Sequence, residues 1–224
     1  MLDTAFPRVP GDVGCAASFP FPTRYARVAG ATPDAVVPAH ATDAWLAPFV
    51  AAGRRLADDG CCAIATTCGF LARWQPALAA ALPVPVLTSA LLQVPLVART
   101  LAPGRRVGIV TYSADDLDAP VLLGAGVPAD TPIEGVDAGG AFASTIRDGA
   151  AKLDVPAMAR DVVAAAERLF ARHPDVGALV LECANMGPYR GAVAQATGLP
   201  VFEACALIAW FYRGVAGTAG GDLW

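Results

Sequence analysis

Short apolar runs that alternate with amphipathic segments predict an α/β protein built on parallel sheets. Unbroken runs such as residues 61–66 and 107–110 are typical of strands that are covered on both faces, as in a parallel sheet. Residues 42–59 carry apolar side chains at helical spacing and end at Gly60, so we expect a helix there. An internal repeat indicates that this pattern forms two lobes.

The other elements follow the same alternation along the chain. Strands are expected at residues 61–66, 84–88, 107–110, 176–182 and 199–202. Helices are expected at residues 42–59, 70–82, 89–101, 115–123, 155–172, 188–196 and 205–215.

The two halves of the chain share a cysteine turn at a constant offset of 115 residues. Residues 62–68 align with 177–183, and in both halves a Pro-Val pair begins 17 residues after the cysteine. Cys68 and Cys183 are therefore each expected to end a buried strand and open a helix. The pattern predicts two lobes related by a pseudo-two-fold axis, namely residues 1–98 with a closing helix in 204–224 packed back on them, and residues 99–203.

The repeat also predicts that the first strand of the first lobe is abbreviated. In the second half a full strand leads into Thr111-Tyr112-Ser113, whereas its counterpart leads into Asp3-Thr4 with only Met1 and Leu2 before it. Either this strand is short or the chain begins downstream of its natural start.

The composition argues against several classes of protein. A chain that is 55% hydrophobic and 16% charged is not intrinsically disordered, yet its apolar stretches are broken well before the roughly 18–20 residues that span a membrane. The N-terminus lacks the basic start and apolar core of a signal peptide, so a cytoplasmic location is expected. With a net charge of −4 and scattered arginines, nucleic-acid binding is not expected.

Scarce lysine and histidine narrow the chemistry further. Lys152 is the only lysine and lies in a polar stretch, so a solvated loop position is favoured over a Schiff base with pyridoxal phosphate. His40 is expected in a loop and His173 at the C-terminal end of a helix. These two histidines are too few for a His-rich metal site and give little support to a serine–histidine triad. We therefore expect neither pyridoxal phosphate nor a bound metal.

Six cysteines remain, and free thiols are expected because so long and core-rich a chain does not need disulfides. A zinc ribbon and a thioredoxin-like motif are unsupported, since no CxxC occurs. Four of the six are interpreted as small hydrophobic residues, namely Cys15, Cys61, Cys62 and Cys205.

Cys68 and Cys183 differ because they lie where ligands bind in α/β proteins, at the carboxyl ends of strands. A helix N-terminus would lower the pKa of each thiol and favour the thiolate. Two thiols on opposite faces of one carbon, about 7 Å apart, could invert its configuration, one removing a proton and the other delivering one. The free N–H groups of these turns, the hydroxyls of Thr66 and Thr67, and the amide of Asn185 would suit a substrate carboxylate.

The segments 66–71 and 181–186 resemble the paired cysteine turns of the aspartate/glutamate/hydantoin racemase superfamily. Similar segments at 10–14, 89–95 and 200–202 extend the resemblance over nearly the whole chain. It implies two flavodoxin-like lobes with the active site in the cleft between them, and cofactor-independent proton transfer by the two cysteines.

The resemblance also implies roles for further residues. Asp3 would support the first cysteine, while Thr111 and Ser113 would help to hold a carboxylate, with Ser89 as a weaker candidate. Together with the residues of the two turns, the expected substrate-binding set is Asp3, Thr66, Thr67, Gly69, Ser89, Thr111, Ser113, Ala184 and Asn185.

Cys183 departs from the glutamate racemases because Ala-Asn-Met follows it instead of Thr-His, which argues against glutamate as the substrate. Its thiol would depend on Glu182, the backbone and the helix dipole. Phe70, Tyr112 and residues 187–189 are interpreted either as an aromatic pocket lining or as core. For residues 6–28 a lid over the cleft, a structural arm and a homodimer contact stay open.

The sequence therefore favours a cytoplasmic racemase or epimerase of a small carboxylate, such as an amino acid or a hydantoin-like compound. A decarboxylase and a maleate-type cis–trans isomerase are alternatives on the same scaffold. A non-catalytic carboxylate-binding module is the alternative from a different class.

Overall fold

The computed structural model describes residues 1–37 and 42–217, and its strands form two wholly parallel sheets. The first sheet pairs β1 (Ile64–Ala65) with β2 (Val86–Leu87). The second contains β3 (Arg106–Thr111), β4 (Ile133–Gly135), β5 (Val176–Leu181) and β6 (Val201–Phe202), in the order β4-β3-β5-β6. The predicted α/β class with parallel sheets is confirmed.

Helices connect and cover these strands. The α-helices are α1 (Pro33–Val36), α2 (Leu46–Asp58), α3 (Gln75–Ala81), α4 (Val94–Ala98), α5 (Ala119–Gly124), α6 (Ala141–Asp148), α7 (Val155–Arg172), α8 (Arg190–Thr197) and α9 (Ala204–Val215). Short 3-10 helices lie at Ala16–Ser18, Asp43–Trp45, Gly69–Trp74, Ala90–Gln93 and Gly187–Tyr189.

Helix α7 has the predicted bounds. The carboxylate of Asp154 accepts a hydrogen bond from the N–H of Ala157 at its start, and His173 lies at its C-terminal end as expected. Helix α6 and strand β4 were not expected from the sequence. Lys152 is exposed outside regular structure, whereas His40 falls outside the described residues.

Four of the predicted helices begin as 3-10 turns, at 43–45, 69–74, 90–93 and 187–189, and proline lies near the junction in the last three. The α-helical parts start around Pro76 in α3 and Pro95 in α4, and Pro188 lies in the 3-10 turn before α8. Proline has no N–H to donate to the carbonyl four residues earlier, so an α-helix accommodates it in the first turn but not further along. This missing donor explains why the long helices predicted at 70–82 and 89–101 are divided.

The first sheet is much smaller than predicted. Its two strands have two residues each, while β3 pairs with β4 on one side and with β5 on the other. The backbone of Met1 pairs with the segment 26–28. The Met1 nitrogen donates a hydrogen bond to the carbonyl of Ala26, and the N–H of Val28 donates to the carbonyl of Met1. Met1 thus makes the backbone bonds of a parallel pair, although residues 1–5 form no strand.

Two hydrophobic cores lie on opposite faces of the second sheet. Successive residues of β3 show the division, since Ile109 packs in one core and Val110 in the other. Leu179 and Leu181 of β5 face the second core, while Ala178 and Val180 face the first. Burial on both faces explains why these strands are continuous apolar runs.

Helix α9 packs back across residues 90–93, where the side-chain amide of Gln93 donates to the carbonyl of Glu203. Near its C-terminal end, the ring of Tyr212 stacks on Phe21 with 3.9 Å between ring centroids. Residues 218–224 of the predicted closing segment lie outside the described part of the chain. Among the described residues, no helix is both long and apolar enough to cross a bilayer.

Candidate active site

The two cysteines of the repeat lie just beyond the carboxyl ends of parallel strands, Cys68 after β1 and Cys183 after β5. Cys68 caps the 3-10 helix of residues 69–74, so it opens a helical segment as predicted. Cys183 does not, because a turn and a second 3-10 helix separate it from α8, which begins at Arg190. The expectation that both thiols open a helix is therefore wrong for Cys183.

Both thiols line one small cavity of about 30 Å³. This volume holds only one or two water molecules, so the cavity as it stands is too small for a substrate. Apolar side chains form much of the wall, namely Leu2, Phe6, Pro33, Val37, Phe70 and Ile146. Polar side chains also reach it, namely Thr4, Arg8, Thr67, Tyr112, Glu182 and Asn185.

The thiols are weaker acids than the sequence predicts. Burial raises the pKa of Cys68 to about 12, and the nearby charge of Glu182 raises it as well. The N–H groups of Phe70 and Leu71 lower this pKa, but by less. Burial, and next Glu182, also raise the pKa of Cys183 well above its ordinary range. The expected thiolate stabilisation by the helix N-terminus is thus outweighed by desolvation.

Glu182 lies between the two cysteine turns and is only 1% exposed. One carboxylate oxygen accepts a hydrogen bond of 2.8 Å from the hydroxyl of Thr111, while Oε1 has no hydrogen-bond partner in the described chain. A side chain at position 69 would collide with Oε1, which is why the residue after Cys68 must be glycine. Burial raises the pKa of Glu182 to about 7, so this carboxyl group titrates near neutral pH.

A chain of polar contacts connects the N-terminal segment to the second cysteine. One guanidinium nitrogen of Arg8 lies 3.1 Å from both carboxylate oxygens of Asp12, and another donates to Thr4. The side-chain amide of Asn185 donates to Asp12 at 2.8 Å, and its oxygen accepts from the Cys183 thiol at 3.5 Å. Residues 173 positions apart in the chain thereby hold the second cysteine turn.

Of the predicted binding residues, Thr67, Gly69 and Asn185 lie at the cavity with the cysteines. Asp3 does not support Cys68, which corrects the expectation for this residue. Its carboxylate accepts from the N–H of Gly30 at 2.9 Å and pairs with Arg27, so the Asp3 side chain lies away from the cavity that its neighbours Leu2 and Thr4 line.

Three other predicted residues, Thr66, Ser89 and Ala184, line a separate void of about 10 Å³ on the side of Gly69 and Glu182. The Thr66 hydroxyl bonds to the carbonyls of Cys68 and Thr88, and the Ser89 hydroxyl accepts from the N–H of Leu91. These hydroxyl groups therefore shape the first cysteine turn and its neighbour.

Thr111 and Ser113 also lie outside the walls of the cysteine cavity. Thr111 is fully buried and bonds to Glu182, so it acts on the carboxyl group that lies beside both thiols. Ser113 donates to the carboxylate of Asp116 at 2.7 Å. Neither hydroxyl is in a position to hold a carboxylate in the cysteine cavity.

Sequence reasoning missed Arg8 and Asp12 as site residues, although Asp12 lies in one of the segments that carry the family resemblance. The available signal was an acidic residue inside an apolar Pro-Gly turn, with an arginine four positions before it. Of the aromatic candidates, Phe70 and Tyr112 line the cavity, while Tyr189 is buried in the second core.

All six cysteines are free, as predicted. In residues 1–37 and 42–217, no group of three or more metal-binding side chains occurs. The amino-acid sequence matches a known family over residues 31–212, and this family is described as Asp/Glu/hydantoin racemase. The chain belongs to the Asp/Glu/hydantoin racemase family.

Among curated proteins, the relatives of this family member are named as lyases. A dimethylsulfoniopropionate lyase of Durusdinium sp. clade D is 27% identical over 95% of this chain and 72% of its own length. Dimethylsulfoniopropionate lyase 5 of Emiliania huxleyi is 30% identical over 92% of this chain and 43% of its own length. The chain thus spans between 43% and 72% of the length of these relatives.

Solved structures share the racemase-family fold. A glycine-to-cysteine variant of arylmalonate decarboxylase in its sulfate-associated form matches 98% of this chain and 92% of its own, with a TM-score of 0.63 and 21% identity. A glutamate racemase of Bacillus anthracis matches 83% of this chain and 70% of its own, with a TM-score of 0.53 and 12% identity. At these identities the similarity concerns the fold.

Proposed function

We propose that this protein is a cofactor-independent racemase or epimerase, which transfers a proton at the carbon next to the carboxylate of a small substrate. The observation that carries this proposal is that Cys68 and Cys183 line one buried cavity. Two acid/base groups beside one carbon are what inversion of configuration requires, since one removes a proton while the other supplies one.

The reactive form of the site contains one thiolate and one thiol. Removing one proton from the group of Cys68, Cys183 and Glu182 creates the required negative charge, and Glu182 has the lowest pKa of the three. In the active arrangement this charge lies on one cysteine while Glu182 holds the proton. The three groups then titrate as one coupled system.

The walls of the cavity favour a small carboxylate whose other substituent is apolar. Thr67 and Asn185 are the predicted binding residues that reach the cavity, and Arg8 is a cation among its lining residues. Because only about 30 Å³ is empty, a substrate must displace part of the wall. Phe6 and Arg8 belong to the segment 6–28, which supports the role of a lid for this segment.

Deuterium incorporation tests the proposal directly. The protein is incubated in D2O with a panel of amino acids, hydantoins and small diacids, and exchange at the α-carbon is followed by NMR. We expect exchange to be lost in Cys68→Ala and in Cys183→Ala, and to be unchanged in Cys62→Ala, which alters an exposed cysteine. Exchange that survives both active-site changes would rule out the two-cysteine mechanism.

A lyase is the second candidate, because curated relatives over 90% or more of this chain are named dimethylsulfoniopropionate lyases. In such a β-elimination a single thiolate takes the α-proton, and the bond between the β-carbon and its leaving group breaks to give an alkene. The leaving group departs with the electron pair of that bond. Only one cysteine is then indispensable.

Product analysis distinguishes the two candidates. With dimethylsulfoniopropionate as the probe, a lyase releases dimethyl sulfide and acrylate, and one of the two Cys→Ala variants retains turnover. A racemase exchanges the α-proton of its substrate without releasing an alkene, and both variants are inactive.

A further inference from the structure

The void of about 10 Å³ beside the first cysteine turn shares two lining residues, Gly69 and Glu182, with the cysteine cavity. Apart from these two, the described residues that line the two spaces are different, so Glu182 lies between them. Residues 87–90 and the first two turns of α9 form most of the wall of the void. Because β5 packs against the 3-10 helix of residues 90–93, Glu182 reaches this wall directly after β5 ends.

Glu182 presents a buried polar atom to this region. Its Oε1 has no hydrogen-bond partner among the described residues, whereas the other carboxylate oxygen accepts from Thr111. Oε1 lies against Gly69, the second residue that both spaces share. A buried carboxylate oxygen without a partner is costly, since it has given up its hydrogen bonds to bulk water. Oε1 is therefore an atom that requires a partner from the space beside it.

Two hydroxyl groups lining the void supply further hydrogen-bonding capacity. The Ser89 hydroxyl accepts from the N–H of Leu91 at 3.1 Å, and it donates its own proton to no atom of the described chain. The Thr66 hydroxyl donates to backbone carbonyls and can still accept. A buried water typically makes about three hydrogen bonds and requires roughly 10–15 Å³ of such space. The void thus matches one water molecule in size and in partners.

We propose that this void is a binding site for one buried water molecule, and that Ser89 is the residue that orients this water on Oε1 of Glu182. The water donates to Oε1 when the carboxyl group is ionised and accepts from it when the group is protonated, whereas a backbone group can do only one of these. Ser89 acts through the water and touches no substrate, so it is a positioning residue. Its effect on the reaction rests on the proposed function, in which Glu182 holds the proton of the reactive thiol.

The surroundings of Glu182 make the water the available donor on this side. The hydroxyl of Thr111 and the N–H of Tyr112 lower the pKa of Glu182, against the larger effect of burial. The charged or titratable groups around it come from the two cysteine turns, the end of β3 and the 3-10 helix of residues 69–74, namely Cys68, Cys183, Tyr112 and Arg73. The residues from 87–90 and from α9 that line the void are uncharged.

Infrared difference spectra test the role of Ser89 without depending on catalysis. The C=O band that is present in wild type and missing in Glu182→Gln belongs to protonated Glu182, and its amplitude against pH gives the pKa of this group. In Ser89→Ala we expect this pKa to rise by about one unit, as the loss of a hydrogen bond to a charged group predicts. Asp154→Ala is the matched control, because it also removes a helix cap, and it should leave the pKa unchanged.

Ala204→Val is a second variant, which fills the void while the Ser89 hydroxyl and its contact with Leu91 stay. It should raise the pKa of Glu182 to the same extent as Ser89→Ala. A crystal structure of the wild-type protein should show a water within about 3.2 Å of both Oε1 of Glu182 and Oγ of Ser89. This water should be lost in Ala204→Val.

The same variants separate this inference from the proposed function. If Glu182 holds the reactive proton, the pH profile of α-proton exchange should move with the infrared pKa in both variants. A pKa that moves while the exchange profile stays would contradict the catalytic role of Glu182 and support the water site. A wild-type crystal structure without a water on Oε1, or a pKa of Glu182 that stays at the wild-type value in both variants, would overturn the water site and the role of Ser89.

Discussion

Glu182 is buried between the two cysteine turns, with one carboxylate oxygen on the hydroxyl of Thr111 and the other against Gly69. Burial is the largest cause of the raised pKa of both Cys68 and Cys183, and the charge of Glu182 is the second largest. Glu182 is thus positioned to hold the proton that leaves a thiol when the reactive thiolate forms. Thr111 positions the carboxyl group for this exchange.

The pH dependence of the rate tests this role. Because Glu182 titrates at about 7, the wild-type rate should rise as the pH passes through that value. In Glu182→Gln the first proton must leave a thiol, so the rise in rate should move to a higher pH by at least one unit. The measurement is the pH profile of α-proton exchange. Glu167→Gln, which changes an exposed carboxylate, is the matched control and should keep the wild-type profile.

Stability provides an independent check on the same residue. The folded-state pKa of Glu182 is raised from 4.5 to about 7, so folding favours the protonated form of this carboxyl group. Its contribution to the free energy of unfolding is present in full below pH 4.5 and is lost as the pH rises through 7. Glu182→Gln should therefore melt at a higher temperature than wild type at pH 8, and the gain should be smaller at pH 5. If the rate profile of Glu182→Gln still rises near pH 7, another group controls the ionisation of the site.

Among the elements, α5 packs closely against the 3-10 helix of residues 69–74 at Gly124. A side chain at Gly124 would collide with the backbone carbonyl of Ala72, which lies in the helix that Cys68 caps. Since backbone cannot move aside as a flexible side chain can, the two elements would be forced apart. The position of Cys68 thus depends on the packing of α5.

Gly124→Ala should destabilise the protein by about 2 kcal/mol and reduce α-proton exchange. Gly191→Ala in α8 is the matched control, because nothing lies within 4 Å of the added methyl group. There the better helix propensity of alanine should raise stability by about 0.5 kcal/mol. Urea unfolding measures both, and a Gly124→Ala variant as stable as wild type would contradict the close packing.

For the whole molecule, the contact between Asp12 and Asn185 joins the N-terminal segment to the second cysteine turn. Arg8 and Asp12 are both largely buried, with side chains 13% and 5% exposed. Asp12 also accepts from the N–H of Gly14, so it supports the turn that places Arg8 at the cavity. This one carboxylate therefore connects the long irregular segment to the active site.

Asp12→Ala should cost about 3 kcal/mol of folding free energy, because it leaves the buried guanidinium of Arg8 without its opposite charge. It should also impair exchange, since Asn185 loses the contact that orients it toward Cys183. Arg24→Ala, which removes an exposed ion pair with Asp59, is the control and should have no measurable effect. Equal stability of the two variants in urea would contradict this assignment.

Local patterns in the sequence were enough to predict the alternation of elements, the parallel sheets and the two cysteine turns. Burial on both faces makes β3 and β5 continuous apolar runs, and α7 carries its own cap and helical periodicity. The divided helices at Pro76 and Pro95 were missed, although proline is itself a local signal.

The sequence by itself determined that this chain is an α/β protein of paired cysteine turns, because strand and helix patterns depend on neighbouring residues. Only the tertiary structure decided that Glu182 is buried beside both thiols, that Asp3 turns outward to Gly30, and that Asp12 reaches Asn185. These features arise where segments distant in the chain exclude water from one another. Desolvation, which raises the pKa of Cys68, Cys183 and Glu182, is a property of that packing and not of the sequence nearby.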